Sequence, residues 1–141
     1  MKKRIMNTNT VEELITRNLV YINSDSNTIK AAILMRENNI SCLVVKEKGE
    51  FIGIVTEKDL INKVVAEELY PGDITIEKIM SKDLVSISKN DSIENAAKLM
   101  KEKGVRRLVV LEDDRVIGVI TETDIANIVG NLDRVSYLDW I

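Results

Sequence analysis

The stretch Gly53-Ile54-Val55-Thr56-Glu57-Lys58-Asp59-Leu60 returns 65 positions later as Gly118-Val119-Ile120-Thr121-Glu122-Thr123-Asp124-Ile125. Gly, Thr, Glu and Asp are held while the apolar letters drift, so the backbone and the polar pattern are what is being repeated. Sliding the chain on itself by 65 residues matches 11–60 to 76–125 without a gap, with 18 of those 50 positions identical. VEELITRNLVYI lies over IEKIMSKDLVSI, AAILMREN over AAKLMKEK, and ISCLVVKEKGEFIGIVTEKDL over VRRLVVLEDDRVIGVITETDI. Two copies make a pseudo-dimer, whereas a solenoid stacks three or more.

Within a copy the periodicity alternates between helix and strand. Asp91-Ser92-Ile93-Glu94 has the form of a capping box, and Ile93, Ala96, Ala97 and Met100 follow at helical spacing. Gly104 is placed to end that helix in the left-handed conformation, and Asn39 stands at the matching place in the first copy. Leu43-Val44-Val45 and Phe51-Ile52-Gly53-Ile54-Val55, separated by 46–50, read as a hairpin. A second helix is expected from about Glu57 to Leu69. The fold class is therefore α/β (α+β), two tandem β-α-β-β-α repeats. The expected boundaries are an N-terminal segment 1–10, a first repeat 11–70, a hinge 71–75 around Tyr70-Pro71-Gly72-Asp73, a second repeat 76–130 and an apolar tail 131–141.

Composition bounds the function. With 45% apolar and 30% charged residues the chain is of the globular class. No apolar run approaches the roughly 20 residues that span a bilayer, and Met1-Lys2-Lys3-Arg4 leads into polar Asn7-Thr8-Asn9-Thr10, so no membrane partner and a cytoplasmic location are expected. Cys42 is the one cysteine and there is no histidine, which removes intrachain disulfides, Ser-His-Asp triads and His/Cys metal cages. Cys42, in an apolar strand, reads as a small core residue rather than a reactive thiol. A net charge of −3 with intermixed signs gives no stripe for nucleic acid. No general-base pair, metal cluster or nucleophile elbow is visible, so the chain reads as a binding module and not an enzyme.

Thr56-x-x-Asp59 and Thr121-x-x-Asp124 admit two readings. One is helix capping, in which the Thr hydroxyl and the carboxylate satisfy orphan amides. The other is a ligand site, in which the helix start holds phosphate and Asp accepts hydrogen bonds from ribose hydroxyls. Thr123 adds a hydroxyl beside Asp124 that Lys58 does not supply in the first copy. Neither Asp has a second carboxylate at ligand spacing, so no metal is expected. Arg106-Arg107, after Val105 at a strand start, sends one guanidinium to each face, and one of them is expected to stay solvated.

These features in register, Ile79-Met80-Ser81 ahead of Leu84-Val85-Ser86-Ile87, the Ala96-Ala97-Met100 helix, Val105-Arg106-Arg107-Leu108-Val109-Val110 and both Gly-to-Asp endings, resemble the cystathionine β-synthase (CBS) domain family over roughly 11–130. The resemblance implies a pseudo-twofold CBS pair, a Bateman-type module with two sheets face to face and a cleft on each side. Members typically sense AMP, ADP, ATP or S-adenosylmethionine, and many pair as homodimers. By the resemblance, Asp59 joins Arg106 or Arg107 for phosphate, with adenine against Met80, Val85 and Ser86. Asp124 joins Ile15, Val20 and Tyr21, and the candidate set is completed by Thr56, Thr121, Thr123, Ile40 and Val105. The first copy departs from the family pattern at Leu14-Ile15-Thr16 and at Ser41-Cys42, so the two clefts are expected to differ. The function expected is a regulatory module sensing an adenine nucleotide and acting on an unidentified protein in trans. The alternatives are a ligand-free dimerisation scaffold or an S-adenosylmethionine sensor. The tail Val135–Ile141, with Tyr137, Leu138 and Trp140, is expected to pack on its own second repeat or on another subunit.

Overall fold

The computed structural model describes residues 9–15 and 18–129, and the expectation for the tail Val135–Ile141 lies outside them. The first repeat runs through strand β1 (Tyr21–Asn23), helix α1 (Thr28–Asn38), strands β2 (Cys42–Glu47) and β3 (Glu50–Thr56), and helix α2 (Glu57–Leu60). The second repeats the order as β4 (Ser86–Ser88), α3 (Ile93–Lys103), β5 (Arg107–Glu112), β6 (Arg115–Thr121) and α4 (Glu122–Val129). Each repeat builds a three-stranded sheet, β1-β2-β3 or β4-β5-β6. The first pair in each is parallel, which needs the intervening helix as crossover, and the second pair is an antiparallel hairpin. The hairpins turn on two left-handed residues, Lys48 and Gly49 in one and Asp113 and Asp114 in the other, as the twist of the strands requires.

Helix ends follow local chemistry, with one correction at the start of α3. The N-cap is Ser92, whose hydroxyl accepts from the Asn95 amide at 3.0 Å. The expected Asp91–Glu94 box does not form. Asp91 instead accepts from the Ser88 amide in the preceding turn at 3.3 Å, and Glu94 pairs with Lys98 at 3.3 Å. Starting one residue later puts Ile93, Ala96, Ala97 and Met100 together in the core. Asn39 and Gly104 terminate α1 and α3 with φ of 52° and 66°, as expected.

The second helix of the first repeat is shorter than the expected Glu57–Leu69. Its α-helical part ends at Leu60 and continues as a wider π turn over Ile61–Val65. The Ala66 amide reaches back five residues to the Ile61 carbonyl at 2.8 Å, and Glu68 turns left-handed so that the Leu69 amide meets the Val64 carbonyl at 3.0 Å. Apolar residues occur around the whole turn. Only Val64 is buried, while Ile61 and Val65 are exposed, so helical periodicity carried no boundary here.

The chain forms two compact units that are not the two sequence repeats. One unit is 20–84, the other 85–129 with the described residues 9–15 and 18–19. In the first, Ile76 and Ile79 from the opening of the second repeat complete a core of Ile22, Ala31, Met35, Leu43, Val45, Val55 and Val64. In the second, Val11 and Leu14 from the opening of the first repeat complete a core that includes Ile87, Ile93, Leu108, Val110, Ile120 and Ile125. The attachments match bond for bond. The Ile76 and Glu77 amides donate to Ser26 and Ser24 carbonyls at 2.9 and 3.0 Å, and the Val11 and Glu12 amides to Asp91 and Lys89 carbonyls at 2.8 and 3.2 Å. The expected hinge is likewise built in: Pro71–Asp73 forms a short 3-10 turn, and the Pro71 carbonyl accepts from the Thr28 hydroxyl at 2.7 Å.

Candidate functional site

Both Thr-x-x-Asp segments sit where a hairpin strand runs directly into a helix, and both close as capping boxes. The Asp59 amide donates to Thr56 Oγ1 at 3.2 Å, while Asp59 Oδ2 accepts from the Thr56 amide at 2.9 Å and its hydroxyl at 3.1 Å. In the second repeat the Asp124 amide donates to Thr121 Oγ1 at 3.2 Å, and Asp124 Oδ2 accepts from the Thr121 amide at 2.8 Å. The capping reading is thus realised in both copies. It uses one carboxylate oxygen of each pair, leaving the fate of the other to its surroundings.

Those surroundings differ. Lys63, one turn beyond Asp59, places its Nζ 3.1 Å from Asp59 Oδ1 and donates to the Ile79 carbonyl at 2.8 Å. The position equivalent to Lys63 in the second repeat is Ile128, which packs against the apolar core. Among the described residues Asp124 Oδ1 has no partner. Lys63 was not among the residues the sequence singled out, since an Asp–Lys spacing of four residues occurs on many exposed turns and does not by itself mark a site.

The glycine that opens each motif is explained by close approach. A Cβ on Gly53 would stand 2.8 Å from the Ser81 carbonyl oxygen and 3.1 Å from Met80 Sδ, and one on Gly118 would stand 2.9 Å from Ile15 Cδ1. The opening segment of each repeat therefore crosses the hairpin of the other at its glycine, six residues before the Asp. Ile54 and Ser81 exchange two backbone hydrogen bonds there, at 3.0 and 2.8 Å.

The units sort the candidate residues. The unit 20–84 holds Thr56, Asp59, Met80, Ile40, Val20 and Tyr21; the other holds Thr121, Thr123, Asp124, Ile15, Val85, Ser86, Val105, Arg106 and Arg107. Ile40 and Val105 each follow a helix end, bonded to the Met35 and Met100 carbonyls at 3.0 Å. The next residues reach the motifs, since the Glu57 amide donates to the Ser41 carbonyl and the Glu122 amide to the Arg106 carbonyl, both at 2.9 Å. Arg107 pairs in register with Thr121, and Cys42 with Thr56. Arg106 lies at the surface, 85% exposed, with Nε 3.7 Å from Glu122, and is the solvated member of the arginine pair. Cys42 is half-buried at the start of its strand rather than in the core.

Two other features bear on charge. An open groove of about 650 Å³ in the second unit is lined by Ser86, Asp91, Lys98, Glu102, Asp113 and Asp114 among others. Of the candidates only Ser86 reaches it, and its excess of carboxylates repels phosphate. Lys89 gathers Glu12 at 3.5 Å and a short contact to Glu112, which Arg115 also approaches at 3.6 Å. The hydrogen bond between Lys89 and Glu112 is the main cause that raises the Lys89 pKa and lowers that of Glu112. Among the described residues no group of three potential ligands is placed to hold a metal ion, and no helix is long and apolar enough to cross a membrane.

The CBS domain family model matches this chain twice, over residues 11–66 and 76–131. An uncharacterized protein of Methanopyrus kandleri is 35% identical over 120 residues, covering 84% of this chain and 61% of that protein, so the chain spans about three fifths of that relative. Among solved structures, a putative signal-transduction protein with CBS domains from Burkholderia ambifaria superposes with a TM-score of 0.79 at 26% identity, covering 89% of this chain and 97% of that one. A hexameric CBS-CP12 protein from bloom-forming cyanobacteria gives 0.77 at 28% identity over 93% and 79% of the two chains. Two family matches in tandem, two identical sheet topologies and two Gly-to-Asp capping boxes place the chain in the CBS domain family, as a pair of such domains.

Proposed function

We propose that this CBS pair is a regulatory module that senses an adenine nucleotide of the AMP, ADP or ATP class and acts on another protein in trans. The observation that carries this reading is a duplicated juxtaposition. In each unit a partly buried Asp at a helix start shares a hairpin with a glycine covered by an apolar residue of the opening segment, Met80 in one and Ile15 in the other. A carboxylate suits a ribose diol, an adjacent apolar segment suits a purine face, and Arg106 and Arg107 supply the cations that match phosphate oxygens. Mass spectrometry of any small molecule that co-purifies, followed by calorimetry with AMP, ADP, ATP and S-adenosylmethionine, tests it. A ligand at 100 times its dissociation constant adds about 2.7 kcal/mol to stability and raises the melting temperature. Unchanged melting with all four ligands would leave the scaffold reading in its place.

Self-association as a homodimer is proposed with it, on a separate observation. Ile29, Ile33, Ile61, Val65, Leu69 and Tyr70 of the first repeat are all exposed, on α1, on the π turn and beyond it. At the equivalent positions of α3 the second repeat carries Glu94 and Lys98, paired with each other. The same fold position is charged where it faces water in one repeat and apolar in the other. Exposed apolar residues on these elements suit a twofold contact with a second copy.

A further inference from the structure

We infer that Lys63 is a built-in occupant of the Asp59 carboxylate, so that the two Thr-x-x-Asp motifs are inequivalent and Asp124 is the carboxylate open to a ligand diol. This rests on the nucleotide reading above and specifies which of its two motifs does the binding. Both carboxylates spend Oδ2 on the cap, which leaves Oδ1 as the acceptor a ribose hydroxyl would need. On Asp59 that oxygen holds the Lys63 ammonium at 3.1 Å. The ammonium is fixed from its other side by the Ile79 carbonyl at 2.8 Å, and Ile79 immediately precedes Met80. Lys63 thus ties the carboxylate to the segment proposed to receive the base. The Asp59 side chain is only 15% exposed, so on the carboxylate side little water competes with the ammonium.

A hydroxyl donating to Asp59 Oδ1 would have to displace a charge-assisted bond with a neutral one, which is an unfavourable exchange. In the second repeat Ile128 replaces the lysine, and Thr123 replaces Lys58, so neither position beside Asp124 brings a cation. Arg107, in register with Thr121, stands in the same unit. Lys63 is itself 47% exposed and can swing into water, so the Asp59 motif is gated by its own side chain rather than destroyed.

Calorimetry on the full chain with adenosine and with AMP tests the assignment, using wild type, Asp59→Asn, Asp124→Asn and Lys63→Met. Asparagine keeps an acceptor for the cap, and thermal melting checks that each variant folds. Wild type is expected to bind about one ligand per chain, Asp124→Asn to weaken that event by at least about tenfold, and Asp59→Asn to leave it within about twofold, as the loss of one charge-assisted acceptor implies. Lys63→Met is expected to add a second event that Asp59→Asn removes, and Lys63→Gln, which also removes the charge, serves if the methionine variant aggregates. Binding that depends on Asp59 in the wild type, or a single event retained in both lysine variants, overturns the inference while leaving the nucleotide reading intact. No binding of either ligand in any variant overturns both.

Discussion

Replacing Gly53 by alanine tests why glycine is kept at this position of both repeats. Neither Gly53 nor Gly118 has a left-handed backbone, so conformational freedom does not explain them. The new methyl on Gly53 meets the Ser81 carbonyl oxygen at 2.8 Å, and that oxygen accepts from the Ile54 amide while the Ser81 amide donates back to the Ile54 carbonyl. Relief requires the Met80-Ser81 segment to lift away. Overpacking of this kind costs about 1–3 kcal/mol, and partial loss of the two backbone bonds adds about 0.5–1.5 kcal/mol each. The gain from stiffening the unfolded chain, about 0.4–1 kcal/mol, offsets part of this. A net loss of about 2–3 kcal/mol is expected for Gly53→Ala, a large share of the stability of a small domain. At Gly118 the obstacle is the Ile15 side chain, whose Cδ1 lies 2.9 Å away and can rotate, so Gly118→Ala should cost about 1 kcal/mol. Urea unfolding at constant slope measures both. A Gly118→Ala loss equal to or larger than that of Gly53→Ala would refute the close-approach argument.

Two further outcomes follow from the surface. Val65→Glu, at a position 65% exposed, should leave the fold intact and shift the sedimenting species to monomer, because it puts a charge into the apolar face; an unchanged dimer would show that the face is not the interface. The Lys89–Glu112 pair should make stability pH-dependent at both extremes. Glu112 is held below its ordinary 4.5, so its contribution is present above that value and is lost as pH falls through the lower folded value. Lys89 is held above its ordinary 10.5, so its contribution is present below that value and is lost as pH rises through the higher folded value. The difference in urea midpoint between wild type and Lys89→Met should therefore be level between these limits and close toward both ends; a difference independent of pH would exclude the pair as its source.

Repetition made the elements legible. An identical residue order at a fixed offset supports each strand and helix twice, and Asn39 opposite Gly104 marks the same helix end by two different residues. What repetition concealed was which copy each segment packs on. The offset pairs Ile76 with Val11 and so assigns each to its own repeat, yet each is buried in the other unit. Periodicity also failed where apolar residues surround the helix, over Ile61–Val65, since burial there selects Val64 alone. At the candidate site the Thr–Asp pairs, the glycines and the arginines were readable as types at a spacing. Lys63 was not, because a lysine on an exposed turn is ordinary until its ammonium is found between Asp59 and Ile79.

The exchange of opening segments has a consequence for what can fold alone. A fragment 11–70 is one complete sequence repeat, but it lacks Ile76 and Ile79, which are 0% and 4% exposed in the core of the unit 20–84. Removing them withdraws about 1.5–3 kcal/mol of burial for each, together with the Ile76 and Glu77 amide bonds to Ser26 and Ser24 and the pair between Ile54 and Ser81. It also strands Val11 and Leu14, whose burial site belongs to the other unit. A unit of some 65 residues has little margin, since domains of that size bury only about 60% of the surface their unfolded chains expose. The fragment 20–84, which is no repeat in sequence but one unit in packing, should therefore give dispersed amide resonances and a cooperative urea transition. The fragment 11–70 should give neither. If 11–70 unfolds cooperatively and 20–84 does not, the exchanged segments are ornaments on self-sufficient repeats, and the packing argument made from Ile76, Ile79, Val11 and Leu14 is wrong.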